Sequence, residues 1–198
     1  MVSRKTLGDR MKNKVIWYCH HYAGSPSLGM SYRPYYFTQA FNQAGYQAYV
    51  IGASHHHLKQ TSEPQREAVK QTIIEHVPFI LLKTRAYREN GLGRLMNMFQ
   101  YALKFRTQKK NLIKLTGKPD VIIVSSAHPF HFRALEKIAR QHKARLIFEV
   151  RDLWPLSLIQ LAKLYPLHPL AHWISSIEKR AYRRADAVVS LLDKALPY

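Results

Sequence analysis

Cysteine is almost missing from this chain. Its 198 residues include a single one, Cys19, which excludes an internal disulfide framework and favours a reducing compartment. Cys19 lies within an apolar run, and we interpret it as buried packing rather than as a nucleophile. No apolar run reaches the roughly 20 residues that a membrane span needs, and residues 1–14 lack the apolar core of a signal peptide. The sequence therefore predicts a cytoplasmic protein.

Acidic residues are also scarce. The chain has 12 Asp and Glu residues against 31 Lys and Arg residues, which gives a formal net charge of +19. A field of this sign attracts nucleic acid, anionic lipid headgroups or phosphorylated substrates. The charge alone does not choose among these partners.

Two common nucleotide-binding signatures are absent. The glycine-containing segment from Gly24 to Pro34 matches neither G-x-G-x-x-G nor a P-loop, which argues against a classical dinucleotide or P-loop site. A glycine-rich loop before a helix N-terminus still suits an anion, although a simple turn explains Gly24 and Gly29 equally well. The cation and rings of Tyr32, Arg33 and Tyr36 suit phosphate pairing or sugar stacking.

A metal site is not expected either. His55, His56 and His57 are adjacent, and adjacent residues rarely converge on one ion. No Cys or carboxylate accompanies them at ligand spacing, so we interpret the segment from His55 to Gln71 as an exposed polar loop or short helix. His20 and His21, in contrast, follow a strand and could line a crevice.

Apolar runs alternate with helical patterns along the chain. Strands are predicted at 14–19, 47–53, 76–84, 120–124, 144–150 and 186–191, and helices at 34–44, 94–118, 130–142, 155–164 and 168–184. Ser31 is a candidate N-cap of the first helix, whose apolar face would comprise Phe37, Ala40, Phe41 and Ala44. This alternation is typical of an α/β domain with a doubly wound parallel sheet of about six or seven strands. Residues 1–13 would form a flexible basic tail, and residues 14–198 the domain.

The predicted topology brings three polar segments together. In the strand order 3-2-1-4-5-6, the first and fourth strands are neighbours at the switch point. The Gly24–Gly29 loop, the His128 loop and Arg151-Asp152 would then line one crevice at the carboxyl ends of the strands. His128 and Asp152 are candidate acid–base partners. Alternatively, His128 is a hydrogen-bonded loop histidine, and Asp152 pairs with Arg151 or caps a helix.

The segment from Arg94 to Lys118 contains no acidic residue. A basic amphipathic helix is typical of a membrane-surface or partner-binding element, and a core-packed helix with a solvated face is an equal alternative. The candidate membrane-surface residues are Arg94, Lys104, Arg106, Lys109, Lys110 and Lys114. Basic and aromatic residues interleave at 101–106, which leaves nucleic-acid binding as an alternative without a recognised signature.

Several of these motifs together resemble one known family. The matching segments are His21–Pro26 with Tyr32–Tyr36, Asn90–Met98, Pro129–His131, Glu149–Pro155, and Ile177–Lys179 with Ala185-Asp186. They resemble the N-terminal, acceptor-side domain of family-4 retaining glycosyltransferases. The most similar branch transfers amino-deoxy sugars in bacterial surface-polysaccharide assembly, lipopolysaccharide included. The similarity covers about residues 14–192.

The resemblance implies a GT-B architecture, in which two Rossmann-like domains face each other across a cleft. This chain would be the acceptor half, with the donor domain absent or on a separate chain. His128 would approach the reacting sugar, and Gly24 and Gly29 would lie near the donor diphosphate. His131, Arg151, Asp152 and Trp154 would belong to the substrate site. The family more often has proline where this chain has Ala127.

The implied function is transfer of a sugar from a nucleotide donor, UDP-linked by expectation, to a lipid-linked saccharide. No metal and no other cofactor is expected, and the domain should be inactive without its donor half. The basic surface would place the protein peripherally on the inner face of the plasma membrane, where each Lys or Arg contributes about 1 kcal/mol. The alternative is a basic nucleic-acid-binding α/β domain.

Overall fold

The computed structural model describes residues 13–59, 65–87, 91–154 and 168–190. The strands are β1 Val15–Cys19, β2 Gln47–Ala53, β3 Val69–Ile74, β4 Val77–Leu82, β5 Val121–Ser125, β6 Arg145–Val150 and β7 Ala187–Ser190. The helices are α1 Arg33–Gln43, α2 Leu92–Thr107, α3 Lys109–Thr116, α4 Phe132–His142 and α5 Pro169–Arg184. The predicted basic tail, apart from residue 13, and the predicted helix at 155–164 lie outside the described residues.

The strands form one sheet in the order β3-β4-β2-β1-β5-β6-β7. Every neighbouring pair is parallel except β3 and β4. The predicted Rossmann-like α/β fold is confirmed, and so is the predicted order of the six parallel strands. Strands such as β1 are buried along their whole length, because a parallel sheet is covered on both faces and its strands are apolar throughout.

The sequence pattern does not predict β3: its first half lies in the segment from His55 to Gln71, interpreted as a polar loop or short helix, and its second half in no predicted element. Its residues alternate between partial burial and exposure at the edge of the sheet, so its apolar signal is weak. The turn that joins it to β4 consists of Glu75 and His76, with φ values of 47° and 71°. Hairpin turns of this left-handed kind usually contain Gly or Asn, and neither residue is present to mark the turn.

The first helix faces the sheet with a different side from the one predicted. Its buried residues are Pro34, Tyr35 and Thr38, whereas Phe37 is 40% exposed. Tyr35 is fixed by its hydroxyl, which donates to the Glu75 carbonyl at 3.0 Å. The N-cap is Tyr32, without a side-chain cap, so the Ser31 cap prediction was wrong.

The predicted long basic helix consists of two helices that meet at Gln108, where φ is −109° and ψ is 12°. This break allows Leu112 and Thr116 of α3 to face the core. Thr116 accepts a hydrogen bond from the indole of Trp17 at 2.9 Å, which ties α3 to β1. None of the helices in the described part of the chain has the length and apolarity that a membrane crossing requires.

Candidate functional site

A cavity of about 740 Å³ opens at the carboxyl ends of β1, β2, β5 and β6, beside the start of α2. Most of its wall is apolar: Leu58, Leu95, Met98, Phe130, Leu170 and Ile174. Its polar lining includes His20, Tyr22, His57, Arg94, Arg151 and Asp152. The segments after β1, β5 and β6 therefore converge on one crevice, as the topology predicted.

Two guanidinium groups lie in this apolar cavity. Arg94 donates from Nε to the Tyr22 hydroxyl at 3.3 Å, and its guanidinium lies 5.5 Å from the centre of that ring. One terminal nitrogen of Arg151, Nη1, is buried and has no hydrogen-bond partner among the described residues. Asp152 is the adjacent carboxylate, and partial desolvation raises its pKa against the opposing effect of Arg151 and Arg94.

The loop after β6 is fastened to the loop after β5 by Ser126. The Ser126 hydroxyl accepts from the Arg151 amide at 2.9 Å and donates to the Asp152 carbonyl at 3.3 Å. The Ser126 carbonyl accepts from the indole of Trp154 at 3.2 Å. These bonds hold Arg151, Asp152 and Trp154 in the cavity wall.

The Trp154 backbone depends on Glu178 of α5, which accepts from the Trp154 amide at 2.8 Å. Burial raises the pKa of Glu178 to about 7 from 4.5, although the Trp154 amide opposes this shift. A raised carboxyl pKa means that the folded state retains its proton better than the unfolded chain does. The contribution to stability is complete below about pH 4.5 and is lost as the pH rises to about 7.

We therefore expect Glu178→Gln to be more stable than the wild type by about 1–2 kcal/mol near pH 8, a value reduced for partial exposure. The amide oxygen of glutamine still accepts from the Trp154 amide. Near pH 4 the two proteins should be equally stable, and urea denaturation at both pH values measures the difference. A difference in the free energy of unfolding that is the same at both pH values would contradict the raised pKa of Glu178.

Arg33 was predicted to bind substrate, and the structure instead gives it a structural partner. Its Nε donates to Oε1 of Glu149 at 2.5 Å, and its guanidinium lies 4.5 Å from the centre of the Phe37 ring. Glu149 is 2% exposed and also accepts from the Tyr18 hydroxyl at 2.8 Å. The arginine compensates a buried carboxylate and does not line the cavity.

The other substrate-binding residues predicted around the first loop do not line the cavity either. Tyr36 is 52% exposed, and neither it nor Tyr32 lines the cavity. A Cβ at Gly24 would lie 1.7 Å from the Gly29 carbonyl oxygen, and Gly29 has a φ of 96°. Both glycines are required for closing the loop, and contact with a donor diphosphate stays a prediction.

His128 and His131 are both fully buried and do not line the cavity. Burial lowers the pKa of His131 to about 3, and burial together with the nearby His21 lowers that of His128 well below its ordinary value. Direct contact with substrate stays a prediction for both residues, and it would require the side chains between the rings and the cavity to move. His128 lies one layer behind the wall, with its ring centre 5.2 Å from that of Phe130.

The basic residues predicted to form a membrane surface divide into two groups. Arg94 lies in the cavity wall, and its contact with a membrane surface stays a prediction. Lys104 to Lys114 lie at the far end of α2 and on α3. Arg106 is about 18 Å from Arg94 along α2, and Lys109, beyond the break, donates to Gln141 at 2.9 Å.

Sequence reasoning also missed several cavity residues. His57 belongs to a segment interpreted as a polar loop, and its neighbour His56 is 1% exposed and lies 3.2 Å from the Ala23 carbonyl. The apolar wall from α2 and α5 looks like ordinary helix core in the sequence. Within the residues that the structure describes, no three His, Cys, Asp or Glu side chains are grouped as metal ligands. This does not test whether the protein uses a metal, and the absence of one stays a prediction.

Comparison with known proteins gives a family match and a similarity to solved structures. The family model for the glycosyl transferase 4-like domain matches residues 29–195. A solved structure of the catalytic domain of starch synthase IV from Arabidopsis thaliana, bound to ADP and acarbose, is similar at 12% identity and a TM-score of 0.48. The similarity covers 71% of this chain and 34% of the synthase chain. No curated protein matches the chain.

Proposed function

The chain belongs to the glycosyl transferase 4-like domain family, and from this premise we propose that its cavity binds the acceptor in a glycosyl transfer reaction. The donor is a nucleotide sugar, UDP-linked in our proposal, held by a second Rossmann-like domain across a GT-B cleft. That second domain supplies the groups that stabilise the departing diphosphate, usually the largest catalytic contribution. Residues 14–198 alone therefore transfer little or no sugar, and the reaction needs no metal or other cofactor.

The composition of the cavity is the observation that supports this acceptor. A largely apolar wall surrounds the guanidinium groups of Arg94 and Arg151. Such a site suits a ligand that combines an apolar part with a phosphate, because guanidinium pairs with phosphate oxygens by charge-assisted hydrogen bonds. A lipid-linked diphosphate saccharide has this combination. Trp154 and Asp152 in the same wall offer a ring surface and a hydroxyl acceptor to the sugar.

An apolar rim beside the cavity supports a lipid surface as the second partner. We define this rim as Leu58, Leu92, Met96 and Trp173, which are 37%, 85%, 54% and 40% exposed. Each either lines the cavity or lies within two residues of a lining residue. The rim is better placed for membrane contact than Lys109 and Lys110, because it brings the cavity to the bilayer. The distant basic residues then contribute long-range attraction to anionic lipid.

The family match favours glycosyl transfer over the nucleic-acid alternative. The amino-deoxy-sugar branch, the surface-polysaccharide pathway and a location at the inner face of the plasma membrane remain part of our proposal. The motifs quoted from the sequence are their support, Glu149–Pro155 and Asn90–Met98 above all.

Sedimentation with vesicles of phosphatidylcholine and phosphatidylglycerol tests the membrane part. We expect nuclease-treated protein to bind, and Leu92→Glu with Met96→Glu to reduce binding at least tenfold. Reversing Lys109 and Lys110 should remove a smaller, salt-dependent part, because attraction to anionic lipid falls off within a Debye length and these residues lie far from the rim.

Leu103→Glu is the matched control, because Leu103 is 53% exposed on the same helix and about 16 Å farther from the cavity than Leu92. It should bind nearly as the wild type does. Equal losses for Leu103→Glu and the rim variant would contradict docking by the rim. Binding to nucleic acid without any vesicle binding would overturn the membrane proposal altogether.

A further inference from the structure

A chain of hydrogen bonds connects α2 to His128 behind the cavity wall. It begins at Asn97, a fully buried residue. The Asn97 side-chain nitrogen donates to the carbonyls of His55 at 3.1 Å and Arg85 at 2.7 Å. Carbonyl oxygens only accept hydrogen bonds, so the amide nitrogen must face them. The amide oxygen of Asn97 therefore points the other way, towards His21, at 2.7 Å from His21 Nε2.

This orientation fixes the proton on His21. Because the Asn97 oxygen can only accept, His21 Nε2 must carry hydrogen. Burial lowers the pKa of His21 well below its ordinary value, so the ring is neutral and its Nδ1 has a free lone pair. The ring cannot turn easily, since it is stacked between Tyr22 and Tyr101 with centroid separations of 4.4 Å and 4.7 Å.

The proton on His128 follows from the same logic. His128 Nε2 lies 2.8 Å from His21 Nδ1, and that acceptor requires hydrogen on His128 Nε2. His128 Nδ1 is then an unprotonated acceptor. It is buried and has no partner among the described residues. A buried acceptor without a partner costs roughly 1–3 kcal/mol, and such an atom in a native protein calls for an explanation.

We propose that Asn97 is a positioning residue that fixes the tautomer of His128 through His21, so that His128 Nδ1 is kept as an acceptor for a hydroxyl group of the bound saccharide. This inference rests on the proposed function for its ligand, but the hydrogen-bond chain does not depend on that ligand. Because His128 is fully buried, contact with Nδ1 requires wall side chains such as Phe130 to move aside. Satisfying the buried acceptor offsets that cost.

The tautomers can be measured directly by long-range proton–nitrogen correlation spectra of the full chain labelled with ¹⁵N-histidine. In the wild type we expect both His21 and His128 to be neutral and protonated on Nε2. Asn97→Leu removes the acceptor, and His128 should then show a population protonated on Nδ1. A wild-type His128 protonated on Nδ1, or a tautomer unchanged in Asn97→Leu, would overturn the inference.

Three further variants separate this role from a merely structural one. Thr84→Val removes the hydrogen bonds of Thr84 to the amide and carbonyl of His55, at 3.3 Å and 3.2 Å. It loosens the same loop but leaves the side chains of Asn97, His21 and His128 and the bonds of Asn97 to the His55 and Arg85 carbonyls. It should leave the His128 tautomer unchanged. His21→Gln retains one donor and one acceptor in the same order and should also preserve it, whereas His21→Leu should not. If Asn97→Leu does not fold, the wild-type spectrum and the two His21 variants still test whether His21 fixes the tautomer of His128.

Acceptor binding provides the readout that distinguishes this inference from the proposed function. With a prenyl-diphosphate-linked monosaccharide as the probe, Asn97→Leu should bind about tenfold more weakly, and Thr84→Val as the wild type does. Suppose that the tautomers are as expected but the wild type binds no such probe. The proposed function then fails, and with it the role of His128 Nδ1 as an acceptor for a saccharide hydroxyl. The hydrogen-bond chain from Asn97 to His128 stands. If the wild type binds the probe and Asn97→Leu binds equally well, the positioning role fails while the function stands.

Discussion

Replacing Arg33 with methionine is expected to lower the free energy of unfolding by about 3 kcal/mol, the lower end of the range for breaking a buried ion pair. Glu149 is 2% exposed, and its second oxygen, Oε2, has no partner within the described parts of the chain. Without Arg33, the carboxylate would retain only the Tyr18 hydroxyl, at 2.8 Å. Water at the 27% exposed Arg33 side chain keeps the loss from being larger.

Urea denaturation with an unchanged m-value measures this loss. The double variant Arg33→Met, Glu149→Gln should recover at least half of it, because neither charge then remains unpaired. Lys14→Met is the surface control: its pair with Asp120 spans 3.9 Å and both side chains are about 40% exposed, so the expected cost is less than about 1 kcal/mol. An Arg33→Met loss no larger than that of Lys14→Met would show that the pair does not stabilise the fold.

The second large effect is expected in ligand binding. Arg151→Met should weaken binding of a prenyl-diphosphate-linked monosaccharide by about 10- to 100-fold, since a hydrogen bond to a charged group contributes about 1.5–3 kcal/mol. The Arg151 backbone amide keeps its bond to Ser126 in this variant, so the loop should keep its shape. The variant removes the guanidinium of a residue that lines the cavity.

Arg133→Met serves as the matched control, because Arg133 is an exposed arginine of α4 that does not line the cavity. It removes the same charge from the protein and should leave binding unchanged. Thermal denaturation of both variants excludes unfolding as the cause. Equal losses for the two variants would mean that net charge, and not the cavity, determines binding.

The parallel sheet and its functional edge could be predicted because they depend on local patterns. Runs such as Val15–Cys19 are apolar on both faces, and this is the signature of a strand covered by helices on both sides. Right-handed crossover connections then restrict the strand order. The polar residues that follow β1, β5 and β6 had to meet at one edge of the sheet, and Arg151 and Asp152 do lie there.

The roles of individual side chains could not be predicted, because they depend on partners far apart in the sequence. Arg33 pairs with Glu149 across 116 positions, and His128 bonds to His21 across 107. A guanidinium beside tyrosines looks like a phosphate ligand until its buried carboxylate is known. A histidine after a strand likewise looks exposed until the layer in front of it, here including Phe130, is known. The apolar residues of α1 misled for the same reason, since Tyr35 packs with Val50 and Phe79 of distant strands and bonds to the Glu75 carbonyl.

The most direct test of the account is a titration of the full chain with a prenyl-diphosphate-linked monosaccharide in lipid nanodiscs. Calorimetry or histidine chemical shifts can follow the binding, and UDP-sugar serves as the comparison ligand. The account predicts saturable binding of the lipid-linked saccharide that Arg151→Met weakens and Arg133→Met does not, with weaker binding of the UDP-sugar. Absence of saturable binding, or binding that does not depend on Arg151, would contradict an acceptor site in this cavity.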